Sequence, residues 1–252
     1  MRNNIDVHEN NPGEELNFLG YLNPSSSTTA ASAANQGTNF GYPYCFTAWD
    51  PTSLPDNGNI SVGTPFAQAS VNDSMCATTT PPRLTFQAHT APLDIKFNAS
   101  ASSNSSAWIT FHGSWDRTMP VGYYVGTVAF DAETGEPVDA ATSNTSFVPV
   151  LSNTNNSRCP GNCFRPVGMA FDKQGRMFMA SDASGEIYVI MQEKGAVGTG
   201  NATATAASGS GASGATGATP SATAKSGANR PVVAWMTVIA GMVLALFVGL
   251  LL

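Results

Sequence analysis

The chain has 252 residues, of which 42% are apolar and 11% charged, and a formal net charge of -6. So little charge is unusual for an intracellular globular protein, and its Lys and Arg residues form no cluster that could neutralise a phosphate backbone. Composition therefore points outside the cytoplasm and excludes nucleic acid as a partner.

In chain order, the N-terminus reads Met1-Arg-Asn-Asn-Ile-Asp-Val-His8, with neither the basic nor the apolar region of a signal peptide. The acidic stretch Asp6 to Glu15 follows, built around the Asn11-Pro12-Gly13 turn. Its carboxylates and backbone carbonyls are the hard oxygen ligands that Ca²⁺ accepts, although the spacing is not that of an EF-hand and a solvated acidic turn would read the same way.

Short alternating apolar segments bounded by Gly, Pro, Asn and Asp come next: Arg83 to Ala88, Pro92 to Phe97, Trp108 to Phe111, Tyr123 to Phe130 and Met177 to Ala180. No helical period persists for three turns, so residues 1–194 are predicted to be all-β. One unit recurs. Ala91-Pro-Leu-Asp-Ile-Lys-Phe97, Ala107 to His112 and Gly122-Tyr-Tyr-Val125 are echoed by Arg165-Pro-Val-Gly-Met-Ala-Phe171, Arg176 to Ser181 and Gly185-Glu-Ile-Tyr-Val189. A repeated turn, strand, turn and strand ending in an aromatic closing strand suits propeller blades, with a sandwich as the alternative.

Polar residues at the strand ends are the candidates for chemistry, because β enzymes of this kind carry their sites on loops at one end. His89 precedes a strand, His112 and Arg117 follow one, and Arg165 occupies the matching position of the repeat. Two imidazoles and two guanidinium groups converging there would suit a ligand with several carboxylates, since Arg pairs with carboxylate in a bidentate fork. Taken singly, each also reads as a surface Arg or a structural His.

Cys45, Cys76, Cys159 and Cys163 form an even set, the last pair framing a Pro-Gly turn. The expected bridges are Cys45–Cys76 and Cys159–Cys163, with a zinc site as the competing reading. Sequons at Asn59, Asn72, Asn98, Asn104, Asn144, Asn155 and Asn201 point to glycosylation on a secretory route. Residues 195–230 are nearly all Gly, Ala, Ser and Thr and predict a disordered stalk. Residues 231–252 carry no charge and predict an apolar helix, either a retained transmembrane span or the tail of a GPI signal with attachment near Ser221. An extracellular protein anchored at the plasma membrane or cell wall is the expectation. With no leader visible, so is a fragment or a truncated gene.

Read together, His8 to Asn17, Asn39 to Cys45, Ala88 to Leu93, Phe111 to Trp115 and Arg165 to Gly168 resemble the glucose/sorbosone dehydrogenase family, especially its fungal pyranose dehydrogenase members, over residues 2 to 191. The resemblance implies a six-bladed β-propeller, here partial, that binds pyrroloquinoline quinone (PQQ) and Ca²⁺ and oxidises an aldose at its anomeric carbon. It implies that the Asn11-Pro12 carbonyls face the Ca²⁺. Arg165 and the His112 to Arg117 loop would face the quinone carboxylates, and His89 would also point to the site. The family's general-base His and its Arg-Asn pair find no counterpart in this chain, so no catalytic residue is expected here and the chain alone should not turn over. Other readings are a non-catalytic surface module that binds a glycan or wall partner, and a structural mannoprotein. The sugar and the electron acceptor are left open.

Overall fold

The computed structural model describes residues 6–20, 37–55, 57–97, 105–191, 202–203, 223–224 and 238–241. Its principal strands are β1 (Glu14–Leu16), β2 (Cys45–Thr47), β3 (Pro65–Ala67), β4 (Leu84–Phe86), β5 (Pro92–Phe97), β6 (Ser105–Phe111), β7 (Tyr124–Phe130), β8 (Val148–Ser152), β9 (Pro166–Phe171), β10 (Met177–Ser181) and β11 (Glu186–Ile190). The remaining strands are β12 (Ala202–Thr203), β13 (Thr223–Ala224) and β14 (Val238–Gly241). The only helical segments among the described residues are three short 3₁₀ turns, at Pro51–Ser53, Asp73–Thr78 and Asn156–Arg158. The described residues are mostly strands, in agreement with the all-β class that the period-two patterning predicts.

Strands β5 to β8 form one antiparallel meander in chain order. Alternation along β6 and β7 makes both faces of this sheet apolar. Ala107, Ile109, Phe111, Tyr124, Val128 and Phe130 pack with Leu84 and Phe86 on one side. Trp108, Val125 and Leu151 pack on the other side with Met169, Met177, Met179 and Tyr188 of β9 to β11. The meander is thus the middle layer between the β1–β4 pair and the β9–β11 sheet. Burying a large apolar side chain is worth roughly 1.5–3 kcal/mol, so these two cores set the spacing of the layers.

A polar stitch fixes the register between the second and third layers. Asp94 Oδ2 accepts from the Met169 amide at 2.7 Å, and Thr110 Oγ1 donates to the Val167 carbonyl at 2.7 Å. Burial would raise the Asp94 pKa, but hydrogen bonds from Lys96 and the Met169 amide outweigh it and leave the pKa lowered. Strand β8 was not among the predicted segments because Pro149 interrupts its pattern. It lies at the edge of its sheet, where a missing ladder donor is tolerated.

Both expected disulfides are present, Cys45–Cys76 with Cα atoms 5.6 Å apart and Cys159–Cys163 at 5.3 Å, which removes the zinc reading of the four cysteines. The tail requires a correction. Within the predicted apolar helix of 231–252, Val238–Gly241 is a strand that pairs antiparallel with Ile187–Ile190 of β11. β-branched Val238 and Ile239 suit a pleated backbone, and the outer edge of β11 offers unpaired amide and carbonyl groups. In the predicted stalk, β12 and β13 pair with each other. The rest of the stalk and tail, including Ser221, lies outside the described residues. Among the described residues, no helix is long and apolar enough to cross a membrane.

Candidate functional site

Antiparallel registers bring the predicted residues to one end of the layers. Pro92 pairs with Phe111, so the segment before β5 and the loop after β6 are neighbours. Glu14 pairs with Phe86, which brings the residues ahead of β1 beside those after β4. Ser181 pairs with Pro166, which sets Arg165 beside Asp182. Main-chain bonds from His112 to Ala91 at 2.9 Å and from Gly113 to Thr90 at 3.0 Å join the loops.

The 112–123 loop depends on two glycines. Gly113 has φ +97°, and a Cβ there would lie 2.5 Å from the ring of Tyr123. A Cβ on Gly122, φ +85°, would lie 2.6 Å from the Gly113 Cα. Without side chains the loop folds back over the fully buried Tyr123, whose hydroxyl donates to the Ser114 carbonyl.

Arg165 lies over this platform, its guanidinium carbon 5.7 Å from the centre of the Tyr123 ring. It donates through Nη2 to the Gly113 carbonyl at 2.8 Å and to His112 Nδ1 at 3.1 Å. Nδ1 must then carry a lone pair, so Nε2 holds the ring proton and donates it to the Asp182 carboxylate, 3.0 Å from each oxygen. Among the described residues no carboxylate pairs with Arg165, whose partners are carbonyls and an imidazole nitrogen.

Arg117 is placed differently. It is only 7% exposed, and it donates to the carbonyls of Glu9 and Met119 and to Asn10 Oδ1, with the Glu9 carboxylate 3.5 Å away. Its guanidinium clamps the turn ahead of β1. Asn11 is fully buried: its side-chain oxygen accepts from the Trp49 amide at 2.8 Å, and its nitrogen donates to Ser53 Oγ at 2.7 Å. What Asn11 and the exposed Pro12 can offer a cation is main-chain carbonyl oxygen.

His89 has φ +65° and hydrogen-bonds through Nε2 to the His8 carbonyl at 2.6 Å. Its Nδ1 faces Asp116 Oδ1 at 3.7 Å, and His8 Nε2 faces Asp116 Oδ2 at 3.2 Å. Glu14 lies below, its carboxylate accepting from the Ala91 amide at 3.1 Å. Burial raises the Glu14 pKa above the ordinary 4.5, more than that bond and His89 lower it.

The predicted residues therefore fall into two neighbouring groups, His89 with Arg117 near the Asn11-Pro12 turn, and His112 with Arg165. Sequence reasoning missed Asp116, Asp182, Glu14 and the Tyr123 platform. Asp182 directly follows the Arg176–Ser181 segment inside the second copy of the repeat. Among the sequons, Asn59, Asn72, Asn144 and Asn155 are exposed, while Asn98, Asn104 and Asn201 lie outside the described residues.

A family model described as TrAA12-like matches residues 1–193. A pyrroloquinoline quinone-dependent sugar dehydrogenase of Hypocrea jecorina is 43% identical over 196 residues, 76% of this chain and 41% of that protein. A pyrroloquinoline quinone-dependent pyranose dehydrogenase of Coprinopsis cinerea is 34% identical over 205 residues, 76% of this chain and 26% of that protein. Among solved structures, the calcium structure of a Trichoderma reesei carbohydrate-active enzyme of family AA12 matches with a TM-score of 0.67 and 46% identity, over 75% of this chain and 45% of the other. The holo form of the pyranose dehydrogenase PQQ domain of Coprinopsis cinerea matches with a TM-score of 0.61 and 34% identity, over 73% and 45%. The chain spans less than half the length of each of these relatives.

Proposed function

We infer that this chain, which belongs to the TrAA12-like family, supplies part of a PQQ-dependent oxidoreductase that acts on aldose or pyranose sugars at the anomeric carbon. On this reading the two meanders and the β1–β4 pair are parts of successive blades of a six-bladed propeller. Three layers, each packed on the next, favour that over a two-sheet sandwich.

The observation that carries the reading is Arg165: a half-buried guanidinium at the shared strand end, held by carbonyls and His112 with no carboxylate partner among the described residues. Such a group is complementary to an anionic ligand. Its donor chemistry fits a quinone bearing carboxylates, and the Asn11-Pro12 carbonyls fit the Ca²⁺ that accompanies it. When bound, PQQ with Ca²⁺ supplies the hydride acceptor. The chain's own residues hold and orient it. Arg165 pairs with a carboxylate, and His112, fixed by Asp182, keeps Arg165 aimed. Arg117 holds the turn that presents the carbonyls, and no residue here is assigned the general base. The paired cysteines and the four exposed sequon asparagines support an extracellular setting.

Titrating the full chain with PQQ in Ca²⁺ and in a chelator tests this. Saturable, Ca²⁺-dependent binding is expected, weakened at least about tenfold by Arg165→Ala, without dye reduction when aldose is added. Absent or Ca²⁺-independent binding overturns the reading and leaves a non-catalytic surface module.

A further inference from the structure

His8, His89 and Asp116 place three donor atoms within 4.8 Å of one another, from the turn before β1, the segment after β4 and the loop after β6. The hydrogen bond from His89 Nε2 to the His8 carbonyl assigns the ring proton to Nε2. A neutral His89 therefore turns the lone pair of Nδ1 toward Asp116 Oδ1 at 3.7 Å, while His8 Nε2 stands 3.2 Å from the second carboxylate oxygen. Electron-rich atoms facing across such gaps need a positive species between them, either protons or a cation.

Several features favour a cation. Two ligands at roughly 2.1 Å from a tetrahedral zinc-like ion lie about 3.4 Å apart, which falls between the two His–Asp spacings, 3.2 and 3.7 Å. An imidazole whose second nitrogen donates to a backbone carbonyl is the usual arrangement of a metal-bound histidine. His8 is exposed, with 54% of its side chain accessible, so an ion could enter and keep an open position. The nearest cationic side chain on the same loop, Arg117, is turned away into Glu9 and Asn10.

We propose that His8, His89 and Asp116 bind one divalent first-row transition ion through their side chains, beside the Asn11-Pro12 turn. Two imidazoles and one carboxylate select zinc-like ions over calcium, because nitrogen donors of intermediate softness suit those ions and hard oxygen donors suit calcium. The site joins three loops at the end where Arg165 lies, and cobalt retention without added PQQ tests it apart from the proposed function.

The untagged full chain, loaded with Co²⁺ and dialysed, should retain one equivalent, show the visible absorption of nitrogen-ligated cobalt and lose both to Zn²⁺ but not to Ca²⁺. His8→Gln, at an exposed position that leaves folding intact, and His89→Gln should each weaken binding at least about tenfold. Failure to retain cobalt, equal displacement by Ca²⁺, or unchanged affinity in both variants would overturn the proposal and leave a proton-bridged His–Asp–His cluster.

Discussion

Arg117 and Arg165 sit at the same end of the layers and are both partly buried, yet one meets a carboxylate and the other, among the described residues, meets only carbonyls and an imidazole. Arg117 is surrounded by the oxygens of Glu9, Asn10 and Met119, so its charge is spent on holding a turn. Arg165 rests on Tyr123 and, among the described residues, donates to neutral acceptors only, so its charge is available to a ligand. The difference comes from what lies opposite each group. The acidic turn before β1 folds onto the 112–123 loop and supplies Glu9, whereas Asp182, which follows the Ser181 that pairs with Pro166, is engaged by His112.

The largest effect should come from breaking the platform common to both. Gly113→Ala puts a methyl group into the Tyr123 ring at a positive φ and should cost about 3 kcal/mol, read from the denaturant midpoint of the full chain. Arg117→Ala should come next, at about 2 kcal/mol, because the carbonyls of Glu9 and Met119 and the Glu9 carboxylate lose a charged donor whose own side chain is enclosed. A stability change no larger than that of an ordinary surface substitution would remove Arg117 from its clamping role.

Arg165→Lys sharpens the contrast from the other side. Stability should change little, while affinity for PQQ in Ca²⁺ should fall about tenfold, since an ammonium cannot reproduce the guanidinium fork. Equal losses of stability in Arg165→Lys and Arg117→Ala would mean that the two arginines do the same job.

The smallest effect concerns Glu14, beneath the first group. Its folded pKa is raised, chiefly by burial, so its contribution to stability is fully present below the unfolded value of 4.5 and is lost as pH rises through the folded value. Glu14→Gln removes this dependence while keeping an acceptor for the Ala91 amide. The melting temperature of the parent chain should therefore lose ground to the variant between pH 4.5 and neutrality, and parallel curves would contradict the assignment.

Much of this was legible locally. Alternation in Pro92 to Phe97 and Tyr123 to Phe130 gave the strands, because a half-buried strand writes its period into the sequence. The 91–125 and 165–189 echo foretold two like sheets, and Pro-Gly between Cys159 and Cys163 foretold their bridge. Strand β8 escaped because Pro149 hides its period, and Val238–Gly241 escaped because an uncharged apolar run reads as helix whenever no partner edge is known.

By itself the sequence determined the all-β class of the strand region, the Cys159–Cys163 bridge and which loops carry His and Arg, since each depends on neighbours along the chain. Only the tertiary structure decided that Arg117 meets the Glu9 carboxylate while Arg165 meets none among the described residues, and that Asp116 pairs with both His8 and His89. Those outcomes depend on contacts between residues about a hundred positions apart in one case and about thirty in the other, as from Arg117 to Glu9 and from Asp116 to His89. Charge pairing at that range is set by how packed layers bring loop ends together, and no local pattern records it.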